Sequence, residues 1–185
     1  MVEAVFPVAS VAAGMQTTPD AVEEVCEELV QRGLFLEDRG VTTWPDGTLT
    51  GQYSFRHALY REALYQRVGS ARRTRLHLAI GRREEAGYAD RAGEHAVELA
   101  RHFEQGQETG RAIHYLLTAG QHALRKAAST EASQLLFHAL TLVGTHADTP
   151  LLKRQELEIQ LGLVTALMLT KGFAAPEVEQ ALLRA

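Results

Sequence analysis

The side chains of this chain that could do chemistry fall in four places. Arg56 and His57 stand together where a period-two pattern (Gln52, Tyr53, Ser54, Phe55) gives way to a helical one (Leu59, Ala63, Leu64). A strand running into a helix there sets a cation and a titratable imidazole at the first helical turn, where free backbone N–H groups and the helix dipole favour an anion such as a phosphate. His95, Glu98 and His102 recur at one-face spacing on a helix. No second element offers a ligand, however, and neither His-Glu-x-x-His nor clustered cysteines accompany them, so no metal is expected. Cys26 is the single cysteine and sits in an apolar helical stripe, the setting of a small buried hydrophobe. The carboxylate pairs Glu23-Glu24, Glu27-Glu28 and Glu84-Glu85 are adjacent in sequence, hence splayed around a helix, unlike an acid/base pair facing one substrate.

Other chemistries are missing from the sequence. It contains no Gly-x-x-x-x-Gly-Lys-Ser/Thr, no Gly-x-Gly-x-x-Gly and no Gly-x-Ser-x-Gly. The expectation is therefore a non-enzyme with no catalytic residues and no cofactor of its own. A net charge of −4 removes the global electrostatic case for nucleic acid. No apolar run approaches the ~18 residues of a membrane helix, and the first residues lack the features of a signal peptide, so a soluble, cytoplasmic protein is expected.

The elements that must position these residues follow from periodicity and punctuation. With 185 residues, 45% of them hydrophobic and 23% charged, the chain can bury one or two cores without disulfides. Residues 5–13 form an apolar segment closed by Gly14 and read as the end of a helix, which leaves apolar surface in need of cover. Thr18-Pro19-Asp20 opens a second helix, with Thr18 capping it, Val22, Val25, Cys26, Leu29 and Val30 facing inward and Gly33 ending it. The period then changes to two. Residues 34–37 and 41–44 read as strands separated by Asp38-Arg39-Gly40, and Pro45-Asp46-Gly47 turns the chain into a strand over 48–55. Two helices followed by a β-hairpin describe a winged helix. Its would-be recognition helix carries Asp20, Glu23, Glu24, Glu27 and Glu28 against Arg32 alone. Phosphate contact supplies much of protein–DNA affinity, so DNA would repel this helix and protein docking is the expected use.

Beyond Gly69 the pattern is helical throughout. Ser70 is placed to cap a helix reaching about residue 86, whose Arg72, Arg73, Arg75, Arg82 and Arg83 read as a solvated face around Leu76, Ala79 and Ile80, or as a basic surface for a partner's acidic or phosphate groups. Ala92, Ala96, Leu99, Ala100 and Phe103 define the next stripe. Residues 109–127 are apolar on two sides, as in a sandwiched helix. Ser129 is placed to cap a helix burying Ala132, Leu135, Leu136, Ala139, Leu140 and Val143. Thr149-Pro150 opens another through Leu157, Leu161, Val164 and Met168, and Pro176 begins a last one. Within this run, Leu116, Ala119, Gly120 and Ala123, followed by Ala132, Leu136 and Ala139, are similar to the large-and-small pattern of tetratricopeptide-type helical hairpins, with Gly144 where the usual closing proline would stand. The expected fold is mostly α, with a winged-helix unit over 1–68 and a tetratricopeptide-like stack over 69–185.

Five segments in order carry a further resemblance: Val22-Glu23-Glu24-Val25-Cys26-Glu27-Glu28-Leu29, Trp44-Pro45-Asp46-Gly47-Thr48, Tyr53-x-Phe55-Arg56-His57-Ala58-Leu59-Tyr60, Ala100-x-His102-Phe103, and Thr170-Lys171-Gly172-Phe173-Ala174-Ala175-Pro176-Glu177-Val178. Together they resemble the bacterial signal-transduction ATPases with numerous domains, in particular the predicted ATPases often joined to adenylate or guanylate cyclase domains. The resemblance implies an upstream domain that binds ATP or ADP, then the winged helix, then repeats that hold a protein partner. It also implies that His57, with Arg56 beside it, contacts the nucleotide phosphate held by that other domain, although Ala58 stands where some relatives have an acidic residue. The chain has no phosphate-binding loop and no cyclase, so it reads as a piece of such an architecture, truncated at both ends. The competing reading is an independent winged-helix transcription regulator with a helical dimerisation domain.

Overall fold

Val5 and Phe6 favour extended backbone and Pro7 has no N–H to donate, so the first described element is a short edge strand, and the helix expected over residues 5–13 begins only at Val8. In the computed structural model, which describes residues 5–145, 150–173 and 175–182, strand β1 (Val5–Pro7) leads directly into α1 (Val8–Met15), α2 (Pro19–Gln31), β2 (Leu36–Thr43), β3 (Leu49–Phe55), α3 (Ala58–Arg67) and α4 (Ser70–Tyr88). A short 3₁₀ turn (Ala89–His95) follows, then α5 (Ala96–Gln105), α6 (Thr109–Arg125), α7 (Ser129–Val143), α8 (Pro150–Lys171) and α9 (Pro176–Leu182). The protein is mostly helical with one small antiparallel sheet. Among the described residues no helix is long and apolar enough to cross a membrane. Two units are distinguishable: Met1–Ala92 with Gln105–Gln107, and Gly93–Glu104 with Glu108–Ala185.

In the first unit the sheet order is β1-β3-β2, with Phe6 opposite Tyr53 and Leu36 opposite Phe55. Asp38-Arg39-Gly40 does not separate two strands as expected. It is a bulge within β2, where Gly40 takes φ 83° and its N–H donates to Asp38 Oδ1 at 2.7 Å. The Pro45-Asp46-Gly47 turn is as read, with Gly47 at φ 85° and its N–H on the Trp44 carbonyl. Thr18 Oγ1 accepts from Ala21 N–H to cap α2. At the other end Gly33 N–H bonds Val30 O and Leu34 N–H bonds Leu29 O, the paired bonds that a left-handed glycine permits. Gly14 does not close α1. The helix runs to Met15 and stops at left-handed Gln16, while Gly14 lets the Ile80 side chain approach to 3.1 Å of where a Cβ would sit.

Helix α4, placed by the sequence at the head of the helical stack, packs on α1 within this first unit. Gly69 rather than Ser70 is its cap. Its most buried residues are also not the apolar stripe expected: His77, Gly81, Glu84 and Gly87 are buried, and Leu76, Ala79 and Ile80 only partly so. Polar partners explain the difference. Ser10 Oγ donates to Glu84 Oε1 at 2.7 Å, the Tyr65 hydroxyl lies 3.0 Å from His77 Nε2, and Gly87 leaves room for the Trp44 ring. Arg83, read as part of a solvated face, holds the hairpin turn: it contacts Asp46 Oδ2 at 3.0 Å and Thr48 Oγ1 at 2.6 Å, and its guanidinium lies 4.6 Å from the centre of the Trp44 ring.

In the second unit α5 buries Ala96, Leu99, Ala100 and Phe103 as expected. Leu136 of α7 is the centrepiece. Fully buried, it fills the space that a Cβ would need at Gly120 of α6 (2.6 Å) and at Gly162 of α8 (3.0 Å). The cap of α7 is Ala128, one residue before Ser129. On α8 the inward face is Leu152, Ile159, Leu163, Val164 and Ala166, leaving Leu157 and Leu161, both expected inside, about half exposed. This helix is apolar around most of its circumference, so spacing alone does not choose a face. Thr149, expected to open α8, and Ala174 of the closing motif lie outside the described residues.

Candidate functional site

Arg56 and His57 sit where β3 ends, but their side chains diverge. The Arg56 N–H bonds the Phe35 carbonyl at 2.8 Å, and its guanidinium donates to the Gly33 carbonyl (2.9 Å) and approaches Glu37 Oε1 (3.4 Å). It thereby ties the end of α2, the start of β2 and the strand-to-helix junction together. His57 is the cap residue of α3, with extended backbone (φ −140°, ψ 135°) and no capping hydrogen bond from its ring. The ring is exposed, with its centroid 5.5 Å from that of Tyr60. The junction thus leaves an imidazole at a helix amino terminus while the neighbouring cation is engaged on the opposite side.

A second feature, which the sequence reading did not assemble, lies on the same unit. An apolar cleft of about 450 Å³ opens between α1, α2 and α3. Phe6 and Phe55 of the sheet, Val11 and Met15 of α1, and Leu64 of α3 contribute to its walls. The α2 wall is made by Ala21, Val22, Val25, Cys26 and Leu29, and Thr17 is the one polar residue in the lining. Val25 and Met15, 55% and 56% exposed, open onto solvent rather than into a core. α3 has no buried residue at all, and Leu59, expected on its inward stripe, is 81% exposed. A helix of ten residues that buries nothing gains little from packing.

Phe35 stands at the edge of this cleft with φ 57°, and the Leu36 N–H folds back on the Leu34 carbonyl around it, a γ-turn. A bulky residue in that region costs on the order of 1–3 kcal/mol and is held there by its surroundings. Here the surroundings are the Arg56 N–H on its carbonyl and the Tyr60 ring edge-on at 5.0 Å. The sequence signal for the cleft was the width of the α2 stripe: residues 21, 22, 25, 26, 29 and 30 span more than one buried face needs.

The environment of the cleft is acidic. Burial, reinforced by Glu23, raises the Cys26 thiol. Burial likewise pushes the Tyr53 hydroxyl up to about 12, with Glu23, Asp38 and Glu27 adding to it. Of the expected one-face triad, His102 is buried, with Nε2 3.3 Å from Arg101 Nη2, whereas Glu98 is exposed. Among the described residues no three His, Cys, Asp or Glu side chains converge as a metal site. Comparisons with protein-family models, curated proteins and solved structures return no match.

Proposed function

We propose that this chain is a non-catalytic regulatory and protein-interaction segment of a signal-transduction ATPase. In this reading the first unit is a winged helix coupling a nucleotide-binding domain to a helical stack that holds a protein partner. The observation that carries the reading is the Leu136 interlock. Paired helices of the tetratricopeptide type approach closely because a large side chain of one faces small residues of the next, and Leu136 does this toward Gly120 and Gly162. The hairpin beyond α2 and the exposed His57 ring at the start of α3 support the winged-helix half. A diphosphate oxygen brought to that helix end would meet free N–H donors, positive potential and an imidazole donor. The acidic α2 favours a protein rather than DNA as the partner of this unit.

Two measurements test the proposal. The purified chain should release no phosphate from ATP and make no cyclic nucleotide; nucleotide-dependent turnover by homogeneous protein would overturn it. In a longer protein that carries the same junction and its own nucleotide domain, His57→Ala should weaken retention of ADP and raise basal output while the circular dichroism spectrum is unchanged. Unchanged ADP release and basal output would leave His57 a structural residue only.

A further inference from the structure

Among the described helices of the first unit, α1, α2 and α4 each bury residues and α3 buries none. We propose that α3 is a hinged strap: it undocks and unravels while the rest of the first unit stays folded, and it carries the Leu64 wall of the cleft away with it. The motion needs no nucleotide domain.

What holds α3 closed is small and local. Among the described residues, two tyrosines make all the polar and ring contacts between its side chains and the rest of the unit. Tyr60 meets the Phe35 ring edge-on at 5.0 Å. The Tyr65 hydroxyl lies 3.0 Å from Nε2 of the buried His77 on α4, and the Arg73 guanidinium lies 5.0 Å from the centre of the Tyr65 ring. Glu62 bonds Gln66 within the helix, and Arg61 and Arg67 form no ion pair among the described residues. Neither end is secured: His57 gives no side-chain cap, and Val68 closes the helix without a left-handed glycine.

The flanks permit the motion. His57, Val68 and Gly69 are all in extended conformation, and nothing stands within 4 Å of where a Cβ would be at Gly69. Ten helical residues span about 15 Å, whereas the same residues extended reach about 33 Å, so unravelling gives slack and neither anchor has to move. Those anchors are made by other groups. Before α3, the Arg56 N–H holds the Phe35 carbonyl and its guanidinium the Gly33 carbonyl; after it, α4 buries Gly81, Glu84 and Gly87. Once undocked, a helix of this length is marginal in water and comes apart. Strain at Phe35, which the closed Tyr60 ring helps to hold, favours opening.

Native-state hydrogen exchange on the whole chain, read by mass spectrometry in urea too dilute to unfold it, tests the strap. Protection of the α3 amides should be at least tenfold lower than that of β3 and nearly independent of urea, because a local opening exposes little surface; β3 should follow the steeper slope of global unfolding. Tyr65→Phe removes one hydrogen bond and keeps the ring, so it should lower α3 protection a further two- to tenfold. Asp46→Asn loosens a hairpin contact that the closed and open forms share. It should lower β3 protection at least twofold and leave that of α3 unchanged. Equal protection and equal urea slope in α3 and β3 would overturn the proposal, as would an equal loss in both on Asp46→Asn. So would α3 amides that exchange as fast as an unfolded chain, or α3 protection that Tyr65→Phe does not change.

Discussion

Two glycines of α6 allow the same substitution to be tried in one helix with opposite expected signs. Gly110, in the first turn, has open space where a Cβ would go. Gly110→Ala should stabilise the protein by about 0.4–1 kcal/mol, because alanine restricts the unfolded chain and suits a helix. At Gly120 the new Cβ would stand 2.6 Å from Leu136 Cγ and 2.7 Å from Cδ2. Leu136 cannot turn away, being fully buried and already pressed against Gly162. Overpacking of this kind costs about 1–3 kcal/mol, from which the helical gain of about 1 kcal/mol is subtracted. The net expectation is a loss of up to about 2 kcal/mol. Urea unfolding followed by far-UV circular dichroism measures both variants, while Trp44 fluorescence separately follows the first unit. Truncating the obstructing side chain with Leu136→Ala removes its Cγ and should shrink the Gly120→Ala penalty by at least about 0.5 kcal/mol, the coupling expected of residues in contact. If Gly120→Ala stabilises the chain as Gly110→Ala does, or if its effect is the same in the Leu136→Ala background, the interlock is not as described.

Two further predictions concern the clasp between the hairpin and α4. A Cβ at Gly87 would fall 2.1 Å from Trp44 Cε3, so Gly87→Ala should cost about 1–3 kcal/mol and shift the Trp44 emission to longer wavelength; unchanged emission would refute the packing. The Asp46 carboxyl is held below its ordinary value of 3.8 by the Thr48 N–H and hydroxyl, with Arg83 adding to this. Its folded pKa being depressed, Asp46 contributes stability above pH 3.8, and that contribution is lost as the pH falls below this through the lowered value. Asp46→Asn should remove this part of the acid dependence, and identical acid unfolding curves for the two proteins would contradict it.

Where structure is decided by neighbours in sequence, the sequence was a good guide. Thr18 and Pro19 start α2 and Gly33 stops it through bonds spanning a few residues, and Gly47 makes its turn the same way. Partners distant in sequence decided what was misread. Asp38-Arg39-Gly40 has the composition of a turn, yet β3 supplies partners on both sides of it, and the residues become a bulge. The buried line of α4 contains a glutamate and a histidine, which periodicity assigns to the surface until Ser10 and Tyr65 are known to face them. The junction at Arg56 and His57 was visible as a change of period. That Arg56 turns to Gly33 and Glu37 depends on strand pairing across some twenty residues. The cleft left only the extra width of the α2 stripe as a sign, because an apolar residue lining an open groove has the same periodicity as one in a core, and that periodicity assigns Val25 to the core.

The sheet has two outer edges, and each bears on how copies of this chain meet one another. β1 ends in Pro7, so it offers a second strand one donor fewer. β2 is longer, but its bulge bends it and its middle carries Glu37, Asp38 and Arg39. An incoming strand would have to follow a kinked edge and bring its backbone past fixed charges. Although Val41 and Leu49 are exposed at the hairpin end, the sheet is a poor template for its own extension. Concentrated solutions of the chain should resist fibrillar growth from this edge.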